Sequence, residues 1–144
     1  MNDLPDAVLL DTCAVIWLAR GLFPDKALPV VVNAGLKGGI FVSPVSAWEI
    51  GMIARPRSGR TPVLQFLPDP KTWFAAVMNG PGIKAATFTP DIGIEAALLP
   101  GDLHGDPGDR LIIATARAMH LPIVTRDEKI IAYAAEGHVE VVVC

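Results

Sequence analysis

Five short aliphatic or β-branched runs, at residues 7–10, 40–43, 83–88, 122–125 and 139–143, are each separated from the next by a longer stretch with helical patterning. Strands spaced by helices are joined by crossovers rather than tight hairpins, so the alternation predicts parallel strands in an α/β layer fold. The runs are continuously apolar, which predicts strands buried on both faces. Helices are expected at about residues 12–20, 25–37, 45–55, 70–79, 90–99, 107–120 and 128–136. Thr89-Pro90 and Asp106-Pro107 each place a capping side chain before a proline at the first helical position, where the missing N–H costs nothing. Pro29 is expected to bend or shorten the second helix. With no repeat, low-complexity tract or Gly/Ser linker, residues 1–144 read as a single domain.

Composition narrows the functional classes. Hydrophobic residues make up 51% and charged residues 19%, with 12 Lys+Arg against 15 Asp+Glu, which excludes a disordered chain. Mean hydropathy is +0.43, yet the longest stretch without a charged residue, 72–83, is 12 residues and contains Asn79, Gly80 and Pro81. A spanning helix needs about 20 apolar residues. The N-terminal MNDLPD has acids where a secretory signal carries positive charge, so a cytoplasmic location with no membrane attachment is expected. Cys13 and Cys144 cannot build a disulfide framework and read as free thiols. A net charge of −3 excludes a protein that holds nucleic acid by bulk charge alone.

In an open parallel sheet, ligands sit beyond the carboxyl ends of the strands. Asp11 closes the first run, Asp127 follows the fourth, and Asp109 opens the helix that precedes the fourth. Glu49 lies within the helix after the second run, and its neighbours at three and four residues are Val45, Ser46, Met52 and Ile53. A carboxylate on so apolar a face needs a partner, and none lies at helical spacing. Asp11 and Asp127 each read equally as helix caps, and Asp106, before Pro107, reads as the cap of the helix on which Asp109 sits. Only the set of four together distinguishes a site from separate caps. Gathered at one sheet edge, they would raise one another's pKa unless a divalent cation balanced them. Oxygen donors without Cys/His ligand spacing select Mg²⁺ or Mn²⁺, whose use in water activation and phosphoryl chemistry makes phosphodiester hydrolysis the natural reaction.

Other chemistries are weaker. His104, His120 and His138 lie far apart and read as surface or loop residues. Cys13 has no basic neighbour to activate it. Neither GxGxxG nor a P-loop is present. Trp17, Trp48 and Trp73 fall in apolar helical patterns and read as core or interface anchors. Arg55, Arg57 and Arg60, in the one loop with charge of a single sign, and Arg110 are candidate phosphate contacts, although the first three read equally as a solvated loop.

The segments Leu9-Leu10-Asp11-Thr12, Val42-Ser43-Pro44-Val45-Ser46-Ala47-Trp48-Glu49-Ile50, His104-Gly105-Asp106-Pro107-Gly108-Asp109-Arg110 and Val124-Thr125-Arg126-Asp127 together resemble a PIN-domain protein, specifically the VapC-type toxins of toxin–antitoxin pairs. That resemblance implies a three-layer α/β/α fold with a central, mostly parallel five-stranded sheet. It further implies a Mg²⁺- or Mn²⁺-dependent endoribonuclease, neutralised by a VapB-like antitoxin and assembled as a homodimer. By the same resemblance the acidic metal site is Asp11, Glu49, Asp109 and Asp127, with Thr12, Thr125 and Asp106 in support. Cys13 stands where many relatives have His, Gly108 where an aromatic is common, and Ile53 near a frequent lysine. Two alternatives remain at this point: a PIN-like binding module without catalysis, and a haloacid dehalogenase-type phosphatase. The phosphatase normally needs a second Asp at the position of Cys13.

Overall fold

The computed structural model describes residues 3–60, 62 and 64–144. Five strands form one all-parallel sheet: β1 (Val8–Leu10), β2 (Ile40–Val42), β3 (Ile83–Ala85), β4 (Ile123–Thr125) and β5 (Val141–Val143). Their spatial order is β3-β2-β1-β4-β5. The chain thus builds outward from β1 on one side, then returns to place β4 on the other, with Leu9 in register with Phe41 and Ile123.

Between them run α1 (Thr12–Arg20), α2 (Leu28–Leu36), α3 (Pro44–Ala54), α4 (Pro70–Met78), α5 (Pro90–Ala97), α6 (Pro107–Met119) and α7 (Glu128–Ala135). Four start alike, with a side-chain cap from Ser43, Asp69, Thr89 or Asp106 followed by proline in the first turn. Pro29 also lies in a first turn, so it opens α2 instead of bending it, and the helix begins three residues later than its pattern suggested.

Alternate side chains of β1 serve two cores. Val8 and Leu10 pack with Val15, Val31, Ile50 and Val124 on one face. Leu9 packs with Ile112, Ile113, Ile123, Ile130 and Tyr133 on the other. The result is the three-layer α/β/α arrangement. Burial on both faces holds for the central strands β1 and β4, whereas the edge strands β3 and β5 are largely half-buried or exposed. Trp17 and Trp73 pack partly buried against the first core, but Trp48 is 51% exposed and anchors no core. Among the described residues no helix is long and apolar enough to cross a membrane.

Candidate metal-binding carboxylate site

The strand order reverses between β1 and β4, and a crevice forms beyond the strand ends at such a point. Asp11 leaves β1 there and Thr125 ends β4, while α3, α6 and α7 bring Glu49, Asp109 and Asp127. Asp11 is 7% exposed, and its carboxyl pKa is pushed up from 3.8 to about 6, first by burial and then by the charges of Asp109 and Asp127. The Thr125 hydroxyl and the Ala14 amide pull the other way. Burial also raises Glu49, against the Thr12 hydroxyl, with further upward pressure from Asp109, Asp106 and Asp11. Asp109 is raised by burial and by Asp106 and Asp127, against the lowering effect of His104. The carboxylates thus lie close enough to repel one another.

Each is held by one oxygen. Asp11 Oδ1 accepts from the Ala14 amide at 2.8 Å, capping α1. Asp127 Oδ1 accepts from the Lys129 and Ile130 amides at 2.8 and 3.2 Å, capping α7. Cap and cluster member are compatible roles, because a carboxylate has two oxygens. Thr12 Oγ1 donates to Glu49 Oε1 at 2.5 Å and lies 3.0 Å from Ser46 Oγ, which aims Glu49 inward from α3. Asp106 Oδ1 accepts from the Asp109 amide at 3.0 Å, the cap its sequence position suggested, and its side chain is exposed. Thr125 Oγ1 accepts from the Asp127 amide at 3.0 Å, joining the two β4-end residues.

Two residues behave differently from their sequence reading. His104 is not an isolated loop histidine: its Nε2 lies 2.8 Å from Asp109 Oδ2, with both side chains about one-fifth exposed. Its position five residues before Asp109, just ahead of α6, was the available signal. Arg110 does not face a substrate path. Its guanidinium donates to the carbonyls of Ala96, Ala97, Leu103 and His104, stapling the end of α5 and the α5–α6 connection to α6. Its planar fork is committed inside the protein.

Arg55, Arg57 and Arg60 are exposed. Arg57 and Arg60 flank a two-residue turn, Ser58-Gly59, with positive φ at both positions and the Arg60 amide donating to the Arg57 carbonyl. Along the axis of α3 this loop begins about 9 Å beyond Glu49. Cys13 is exposed beside the cluster, and burial together with the Asp11, Glu49, Asp127 and Asp109 charges pushes its thiol up, which disfavours a reactive thiolate.

The donor set of mutually repelling carboxylate oxygens suits a hard divalent cation; Asp109 and Asp127 line a cleft of about 370 Å³ with His104, Asp106, Glu128 and Lys129, and Asp11 and Glu49 are not part of that lining. Among the described residues, no three acidic, His or Cys side chains already close around one point, so the carboxylates surround the crevice without forming a finished cage.

A family model for the PIN domain matches residues 8–136. The chain belongs to the PIN domain family. That match spans all four carboxylates of this PIN domain, and membership displaces the dehalogenase-type phosphatase reading. PIN domains are generally nucleases and usually use divalent metal ions. Among solved structures, this PIN domain is similar to a chain in the crystal structure of VapBC2 from Rickettsia felis bound to a DNA fragment from their promoter. The TM-score is 0.66 at 13% identity, over 95% of this chain and 98% of that one, a likeness of fold. No curated protein matches.

Proposed function

We propose that this PIN domain, spanning residues 1–144, is a Mg²⁺- or Mn²⁺-dependent endoribonuclease that hydrolyses RNA phosphodiester bonds as the toxin of a toxin–antitoxin pair. The observation that carries the reading is the set of mutually repelling carboxylates at the sheet's switch point, Asp11 buried and Glu49, Asp109 and Asp127 half-buried. Asp11 and Asp109 hold the metal directly, and Glu49 and Asp127 do so directly or through water. When bound, the metal supplies water activation and charge stabilisation for phosphodiester cleavage. The protein's own part is placement: Thr12 and Ser46 aim Glu49, Thr125 ties Asp11 to Asp127, and the α6 N-terminus adds a favourable dipole beside Glu49 and Asp109.

The VapB-like antitoxin partner, the homodimer and the cytoplasmic location follow from the family resemblance. The test is cleavage of a panel of single-stranded RNAs by purified protein with Mg²⁺ or Mn²⁺. Cleavage abolished by EDTA and by Asp11→Asn and Asp109→Asn is expected; undiminished cleavage by both variants would overturn the site. RNA binding without cleavage by the wild type would make the chain a binding module. Growth arrest on expression, relieved by a small neighbouring gene, tests the toxin role.

A further inference from the structure

The carboxylate cluster poses an electrostatic problem for any RNA substrate. Asp106 and Glu128 line the cleft beside Asp109 and Asp127, so a phosphodiester strand approaches a strongly negative mouth. Arg110 is no remedy, because its donors are bound to four carbonyls. Lys129 lines the cleft as a point charge on a flexible stem. Arg126 is placed differently. It sits between Thr125 and Asp127 in the chain, and both neighbours belong to the cluster. Its guanidinium carbon lies 4.0 Å from the centroid of the Trp17 ring, while the residue as a whole is exposed.

Stacking on an indole occupies one face of a guanidinium and leaves its in-plane N–H groups available. That geometry is suited to bidentate contact with a phosphate. It also restricts a side chain that otherwise loses much rotamer freedom on binding. Trp17 itself is only partly buried, held by α1 and by an edge contact with Phe23 at 6.5 Å. The pair is therefore a preformed, exposed cationic arm, with the guanidinium over the Trp17 ring, one donor within reach of the Cys144 thiol, and Thr125 and Asp127 of the cluster on either side of it in the chain.

We propose that Arg126, stacked on Trp17, is the residue that grips a substrate phosphate at the mouth of the carboxylate site. This rests on the ribonuclease reading and adds to it the contact that offsets local repulsion. The deciding measurement is binding of a fluorescent single-stranded oligoribonucleotide in Ca²⁺ as a function of salt, alongside cleavage in Mg²⁺. One phosphate contact to a single strand contributes about 0.7 to the slope of log affinity against log salt.

Arg126→Ala is expected to reduce that slope by about this amount, to weaken binding roughly tenfold and to raise KM more than it lowers kcat. Arg126→Lys should restore the slope but not the full affinity. Trp17→Phe, which keeps an aromatic in the core, should weaken binding with the slope retained, and melting curves check that all three variants fold. An unchanged slope and KM in Arg126→Ala would overturn the proposal while wild-type cleavage leaves the nuclease reading standing. Absence of both binding and cleavage in the wild type would overturn the two together.

Discussion

The Glu49 carboxylate rests directly on Gly108: a Cβ at position 108 would lie 2.7 Å from Glu49 Oε2 and 2.8 Å from its Cδ. Any larger residue in the first turn of α6 must push that carboxylate aside. Because the displaced group is the end of a flexible side chain, Gly108→Ala should fold with stability little changed, and alanine itself favours a helix by up to about 1 kcal/mol. Mn²⁺ affinity, measured by isothermal titration, should nonetheless fall about tenfold or more. Retention of full Mn²⁺ affinity in this variant would show that Glu49 is not needed at the metal.

Asp11 predicts the sign of the pH dependence. Its folded pKa of about 6 lies above its ordinary 3.8, so the folded state holds the proton more tightly than the unfolded one. Stability of the metal-free protein therefore rises as pH falls from 7.5 toward 5, and is lost again as pH climbs through 6. The shift corresponds to roughly 3 kcal/mol at neutral pH. Glu49 and Asp109 push the same way. Asp11→Asn keeps an N-cap and removes the charge, so in EDTA at pH 7.5 it should melt several degrees above wild type with a flatter pH profile. A lower melting temperature at pH 7.5 would contradict this account.

Divalent metal should act oppositely to protons. At pH 7.5, Mg²⁺ or Mn²⁺ at about 100 times its Kd should stabilise the wild type by about 2.7 kcal/mol, reversibly on adding EDTA. Asp109→Asn should lose most of that gain. Equal gains in the two proteins, read from melting curves, would place the ion elsewhere.

His104 is a positioning residue for Asp109, holding Oδ2 at 2.8 Å so that Oδ1 is left for the crevice. His104→Ala should weaken Mn²⁺ binding by about 10- to 100-fold, as loss of such a supporting partner typically does. His104→Gln, which can still donate a hydrogen bond, should recover part of it. Wild-type affinity in His104→Ala would leave the contact without a role at the metal.

Arg110 should register in stability and not in RNA binding. Removing a guanidinium that satisfies four carbonyls is expected to cost roughly 3 kcal/mol, and Arg110→Lys should recover little, since an ammonium cannot span the same fork. Chemical denaturation checks the first effect. The salt slope of RNA binding should stay at the wild-type value.

What the sequence made legible, and what it did not, divides along physical lines. The parallel sheet followed from five separated aliphatic runs, because a strand buried on both faces leaves a continuous signature. The edge strands escaped that reading: β3 and β5 have similar runs but one open side. Asp11, Glu49, Asp109 and Asp127 stood out because strand ends and an apolar helix face make a carboxylate conspicuous, and the folded chain brings them within mutual repulsion. Arg110 looked like Arg55, Arg57 and Arg60 because a charge says nothing of its partners. His104 and Arg126 were overlooked for the same reason, since their contacts with Asp109 and Trp17 are set by how loops and α1 pack on the sheet.

The strand order carries a further consequence at the exposed Ser58-Gly59 turn. A break there leaves β1 and β2, with Asp11 and Glu49, in one piece, and β3, β4 and β5, with Asp109 and Asp127, in the other. In the sheet the first piece is the centre and the second supplies both flanks, so β3 and β4 have no strand to pair with on their inner sides without it. Two complementary fragments would therefore regain the site only by reassociation. The proposed nuclease activity, reconstituted from them, would scale with the concentration of both, turning a one-chain site into a two-component one.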